Sequence, residues 1–147
     1  MIRVRSIFIF MLVLITVTLV SFGHVAEAKP LSYTSAQIEE IQPYVTEVTA
    51  LRDRLPELAT LIEEQNWTFV RNFIHGPLGE LRAKTAYISR SLRPEDQAKA
   101  RELAKDTFKS LVAIDAAAAS ENYKLAVRSL DKTIKGLDAF LELLPQS

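Results

Sequence analysis

His75 is one of two histidines in this 147-residue chain, the other being His24. Helical proteins that hold carboxylate-bridged metal pairs use Glu-x-x-His on two helices, but the residue three before His75 is Asn72 and no histidine follows it. Haem ligation draws on His, Met, Cys or Tyr. Cysteine is absent, and both methionines, Met1 and Met11, lie near the N-terminus. The missing thiols also exclude a disulfide framework and a thiolate metal site. There is no glycine-rich phosphate loop and no Gly-x-Ser-x-Gly elbow. Acid pairs such as Glu39-Glu40 and Glu63-Glu64 have the form of solvated helix faces and show no positioned partner for general-base work. These residues imply a protein that is not an enzyme and binds no cofactor directly, with His75 left as a weak candidate for a metal contact.

His75 lies in the run from Trp67 to Arg82, where an apolar ladder is interrupted by Gly76-Pro77. Two readings of the imidazole follow. It bonds carbonyls that Pro77 leaves without a donor, or it meets a partner or a surface zinc ion. Arg71, four residues before, and Arg82, seven after, share its helical face; they are ordinary solvated cations or part of a docking surface, where Arg is enriched. Trp67, at a helix start, packs its ring at one end of the fold or serves as a binding hot spot. Arg71, His75, Gly76, Pro77, Arg82 and Trp67 are therefore the candidate interface residues.

Four helical stripes position them. Ile38, Ile41, Val45, Val48, Leu51, Leu55, Leu58 and Ile62 recur about every 3.4 residues, one face of a helix. Ser35 is its expected N-cap, and Pro56 should bend or break it around Arg54-Leu55. The second stripe is Val70, Ile74, Leu78, Leu81, Ile88 and Leu92, with Thr85 on the same face and a kink expected at Gly76-Pro77. Arg93-Pro94-Glu95-Asp96 reads as a helix start, followed by Ala100, Leu103, Thr107, Leu111, Ile114 and Ala118. The fourth stripe is Tyr123, Val127, Leu130, Ile134, Leu137, Leu141 and Leu144, a 3.5-residue repeat stopped by Pro145. Short connections near Gln65, Arg93 and Ser120 make successive helices antiparallel. The expected fold is all-α, an up-down-up-down four-helix bundle.

The N-terminus has Arg3 and Arg5, an uncharged run of fourteen residues from Ile7 to Val20, and Ala26-Glu27-Ala28. That is the layout of a cleaved signal peptide over residues 1–28, its core shorter than the ~20 residues a spanning helix needs; the competing reading is an uncleaved anchor, its run extended by Phe22 and Val25. Residues 29–34 lack periodicity and read as a mobile arm; residues 35–147 form the bundle. Arg3, Arg5 and Glu27 leave with the leader, so 18 basic and 18 acidic residues become 16 and 17. A chain so balanced, with charges alternating along each helix, carries no nucleic-acid footprint.

The run Trp67-Thr68-Phe69-Val70-Arg71-Asn72-Phe73-Ile74-His75-Gly76-Pro77-Leu78-Gly79-Glu80-Leu81-Arg82 resembles the PsbQ family, specifically its cyanobacterial branch. The resemblance continues through Leu111, Ile114-Asp115-Ala116-Ala117, Asn122-Tyr123 and Asp138-Ala139-Phe140-Leu141, covering roughly the whole chain after the leader. It implies the same four-helix bundle. It further implies an extrinsic subunit on the lumenal face of photosystem II, peripheral to the thylakoid membrane, that stabilises the oxygen-evolving complex and supports calcium and chloride retention. The manganese-calcium cluster and chloride would belong to the complex, with no metal bound directly. The implied partners are a core antenna subunit and the manganese-stabilising extrinsic protein. Many cyanobacterial relatives carry a lipid-modified cysteine at the end of the leader, whereas Gly23-His24 stands near that place here, so no lipid anchor is expected. The alternative function is an exported helical assembly factor, or a ligand- or metal-binding module.

Overall fold

A computed structural model describes residues 32–145. The leader expected at 1–28, the first half of the arm expected at 29–34 and the last two residues lie outside the described residues. Six α-helices and no strand occur among the described residues: α1 (Ser35–Asp53), α2 (Leu55–Glu63), α3 (Trp67–His75), α4 (Leu81–Ser91), α5 (Pro94–Ala119) and α6 (Tyr123–Glu142). The described residues are all-α, as their periodicity implies. Two expected helices are each divided. The break at Arg54 falls where Pro56 predicts it, with Pro56 in the first turn of α2, where its missing N–H costs nothing. The Gly76-Pro77 site is a complete interruption, from Gly76 to Glu80, and not a kink.

Helix boundaries follow local chemistry. The cap of α1 is Thr34, one residue before the expected Ser35: its hydroxyl accepts from Gln37 N at 3.3 Å while Gln37 Oε1 accepts from Thr34 N at 2.9 Å. Both orphan donors are thereby satisfied in a capping box. Pro94, Glu95 and Asp96 open α5 as expected. The α2–α3 and α5–α6 reversals share one design. Gln65 and Glu121 each have φ 53°. Asn66 N donates to Leu61 O at 2.9 Å and Gln65 N to Ile62 O at 3.0 Å, a pattern repeated by Asn122 N to Ala117 O at 2.8 Å and Glu121 N to Ala118 O at 3.3 Å. These are Schellman closures in which a residue with a Cβ occupies the left-handed position usually taken by glycine.

Taken in chain order, α1 with α2, α3 with α4, α5, and α6 form four limbs. Each limb packs on the next, and the last returns to the first through α2·α6 and α1·α6. The buried side chains, including Ile41, Leu55, Leu58, Ile62, Leu81, Ile88, Ile114, Leu137 and Phe140, form one continuous core. Each fully buried Leu or Ile contributes about 1.5–3 kcal/mol of transfer free energy. The first three stripes supply this core largely as the sequence predicts.

The fourth stripe is rotated from its expected face. Tyr123 and Val127 are 44% and 41% exposed, whereas Ala126, Ser129, Thr133 and Phe140 are buried beside Leu130, Leu137 and Leu144. Small side chains explain the rotation, because they let α5 and α6 approach closely. The Ser110 and Thr133 hydroxyls meet across that seam at 2.7 Å. A Cβ at Gly136 would lie 2.4 Å from Thr107 Oγ1.

Polar clamps tie the other limbs. Arg52 donates from Nε and Nη2 to the two carboxylate oxygens of Asp138, at 2.7 and 3.1 Å, joining α1 to α6. Tyr44 stacks on Tyr87 with centroids 4.1 Å apart, joining α1 to α4, and Lys84 of α4 bridges Glu47 and Glu80. Before α1, Tyr33 donates to Asp96 Oδ2 at 2.6 Å, and the Arg93 guanidinium lies 4.7 Å from its ring centroid.

Candidate functional site

The interruption after α3 sets the site's shape. Pro77 offers no N–H to the Phe73 carbonyl, and Leu78 N donates to that carbonyl instead, at 3.2 Å. Gly76 N donates to Asn72 O at 2.8 Å and Gly79 N to Gly76 O at 3.0 Å, so the chain winds tightly before α4 begins. A Cβ at Gly76 would lie 2.8 Å from Asn72 O, and one at Gly79 would lie 2.9 Å from His75 O. Only glycine fits this close approach of backbone to backbone.

With the Phe73 carbonyl already bonded, His75 turns elsewhere. Its Nε2 lies 3.0 Å from Asp115 Oδ1, and Arg71 Nε donates to the same oxygen at 3.1 Å. The i,i+4 spacing on α3 thus aims a guanidinium and an imidazole at one carboxylate on α5. Burial works against the charged form of Asp115, but hydrogen bonds from Arg71 and then His75 outweigh it and hold the carboxyl below its ordinary range. Of the two readings of His75, the structure gives it a carboxylate partner and no released backbone carbonyl.

Arg82 is separated from this clamp by the interruption and stands on α4, its guanidinium 4.7 Å from the centroid of Phe108 on α5. A cleft of about 200 Å³ nevertheless joins His75, Asp115, Arg82 and Phe108 along the seam. Trp67, part-buried against the core at the start of α3, lines a neighbouring recess of about 430 Å³ with Arg71 and His75. Four of the six candidates, Trp67, Arg71, His75 and Arg82, line one or both recesses; Gly76, which is exposed, and Pro77, which is part-buried, shape the backbone between them without lining either.

Sequence reasoning missed Asp115 as a site residue. One signal was available: an acid near the C-terminal end of a helix opposes the helix dipole and needs a cation from elsewhere. It also missed Phe108 and Val112. Val112 is 63% exposed on α5 and Phe69 57% exposed on α3. Among the described residues, no group of three or more His, Asp or Glu side chains converges on a point where a metal ion would sit.

A family model described as oxygen evolving enhancer protein 3, PsbQ, matches residues 5–145. The chain belongs to the PsbQ family. CyanoQ of Synechocystis sp. is 39% identical to it over 146 residues, spanning 99% of this chain and 98% of the relative. The family match therefore takes in all six helices, and the Trp67 to Arg82 run that carries the resemblance builds α3, the interruption and the start of α4 in this PsbQ-family chain. No helix of the described residues is long and apolar enough to cross a membrane.

Proposed function

We propose that this chain is a non-catalytic extrinsic subunit of photosystem II, peripheral on the lumenal side of the thylakoid membrane, that stabilises the oxygen-evolving complex and supports retention of its calcium and chloride. The observation that carries this reading is a match along nearly the whole length of the chain, both to the oxygen evolving enhancer protein 3 family and to CyanoQ. The cyclic packing of four limbs is read as an up-down-up-down four-helix bundle, preceded by a leader removed after residue 28. The manganese-calcium cluster and chloride belong to the complex, and the chain acts by covering: it excludes bulk reductants and slows ion loss. Its partners are the core antenna subunit and the manganese-stabilising protein. Contact runs through the face carrying Trp67, Arg71, His75, Gly76, Pro77 and Arg82.

The Asp115 clamp refines how that face is tested. Reversing Arg71 sets a new carboxylate against Asp115 and loosens α3 from α5, so Arg82→Glu is the cleaner probe. An affinity-tagged chain expressed in its own host should co-purify with oxygen-evolving photosystem II, and Arg82→Glu should lower the yield. Recovery only with immature complexes would replace the subunit reading with assembly, and recovery with neither would remove both.

A further inference from the structure

Beyond the clamp, the α4–α5 seam opens into a second cleft of about 450 Å³. Its floor holds Phe108, Val112 and the small side chains Ala86 and Ala104, and Arg82, Arg101, Lys105 and Lys109 stand around it. The four cations are exposed. Lys109 pairs with Asp106 at 2.7 Å. Arg82, Arg101 and Lys105 have no carboxylate partner within ion-pair distance among the described residues: Arg82 faces the Phe108 ring and Arg101 contacts only the neutral Gln97 amide. The cleft shares Arg82, Phe108 and Val112 with the smaller one that ends at His75 and Asp115. Together they follow α5 from Arg101 to Asp115, about 21 Å at 1.5 Å per helical residue.

We infer that this furrow seats an acidic peptide segment of the photosystem partner, its apolar side chains on Phe108 and Val112 and its carboxylates on Arg82, Arg101 and Lys105. Charge selects the sign of the occupant. Among the described residues that line the two clefts the one acid, Asp115, is already engaged by Arg71 and His75, and Asp106 outside the lining pairs with Lys109, so the furrow presents net positive charge above an apolar floor. Length selects its form: about 21 Å accommodates roughly six residues of extended chain, with alternate side chains turned to the floor. A lone headgroup would use only one end. Like-charge juxtaposition with these exposed cations also disfavours a basic segment. This inference rests on the subunit reading and names the chemistry of its docking partner.

The test compares two charge reversals of equal size. Arg101→Glu with Lys105→Glu alters the furrow, and Arg128→Glu with Lys132→Glu alters the groove between α5 and α6. All four side chains are exposed, so circular dichroism and melting should match the wild type. Binding of the purified mature chain to photosystem II particles from a strain lacking it is measured by co-sedimentation. The furrow pair should weaken binding at least tenfold and the α6 pair less than twofold. A benzoylphenylalanine at position 112 should photo-crosslink to an acidic peptide of a photosystem subunit. Equal losses from both pairs, or none from the furrow pair, overturn the furrow, as does an adduct on lipid. Wild-type chain that does not bind overturns the subunit reading itself, and the furrow with it.

Discussion

Gly136 offers the sharpest test of how α5 and α6 meet. A methyl group there would sit 2.4 Å from Thr107 Oγ1, about an ångström inside normal contact, with Thr107 Cβ and Cα at an ordinary 3.5 and 3.6 Å. Thr107 is buried, and its hydroxyl donates to Leu103 O at 2.9 Å. As a β-branched residue in a helix it has few other χ1 positions. Gly136→Ala therefore forces Thr107 off its rotamer or the helices apart, an overpacking cost of about 1–3 kcal/mol. Alanine's helix propensity returns about 1 kcal/mol, leaving a net loss of about 1 kcal/mol and a fall in Tm of about 4 °C. In a Thr107→Ala background the obstructing atom is gone, and the same substitution should stabilise by about 1 kcal/mol. A double-mutant cycle from urea denaturation should thus give about 2 kcal/mol of coupling, well beyond the ~0.5 kcal/mol scatter of independent sites. Additive effects, or a Gly136→Ala variant that is stabilised on its own, would refute the close approach.

Three further outcomes follow from particular contacts. Asp115→Asn should lower stability by about 0.5–1 kcal/mol, a modest figure because Arg71 is half exposed. Since the folded carboxyl is held below its unfolded value of about 3.9, the penalty should be full above pH 5 and fade as pH falls through the lowered value; thermal melts from pH 2 to 7 that show a constant gap would count against the clamp. Gln65→Gly and Glu121→Gly should each stabilise by about 0.5–1 kcal/mol in the same assay, because both positions have φ 53°. On α6, Ala126→Leu should cost about 1–3 kcal/mol, while Val127→Thr should stay within about 0.5 kcal/mol. The reverse order would restore the stripe read from the sequence.

On α1 to α5 the core faces were legible from their bulky apolar side chains. Ile41, Val48, Leu58, Ile88 and Ile114 lie buried on the faces their spacing predicts. On α6 the pattern misled, because its contact face toward α5 is made of Ala, Ser, Thr and Gly, which no apolar count detects. The Schellman turns were placed near the right residues by where the stripes stop, but Gln65 and Glu121 gave no glycine marker for their geometry. Proline chemistry was readable at Pro56 and Pro94. At Gly76-Pro77 it was underestimated, since Gly79 adds a second close approach that extends a kink into a five-residue interruption. Within the site, the spacing of Arg71 and His75 showed that they share a face and not what they share. Asp115 lies forty residues past His75 in the chain, and only the fold joins them. The basic furrow was hidden for a related reason: Arg82 comes from one helix and Arg101 and Lys105 from the next, and the net balance of charge along each helix concealed a one-sided surface.

The measurement that bears most directly on the proposed role is oxygen evolution by photosystem II particles from a strain lacking this chain, with and without added mature protein, in medium depleted of calcium and chloride. The account predicts a deficit that the protein repairs, and that repletion of the two ions makes smaller. Particles with no deficit, or with one that the correctly folded protein leaves unchanged, would contradict it.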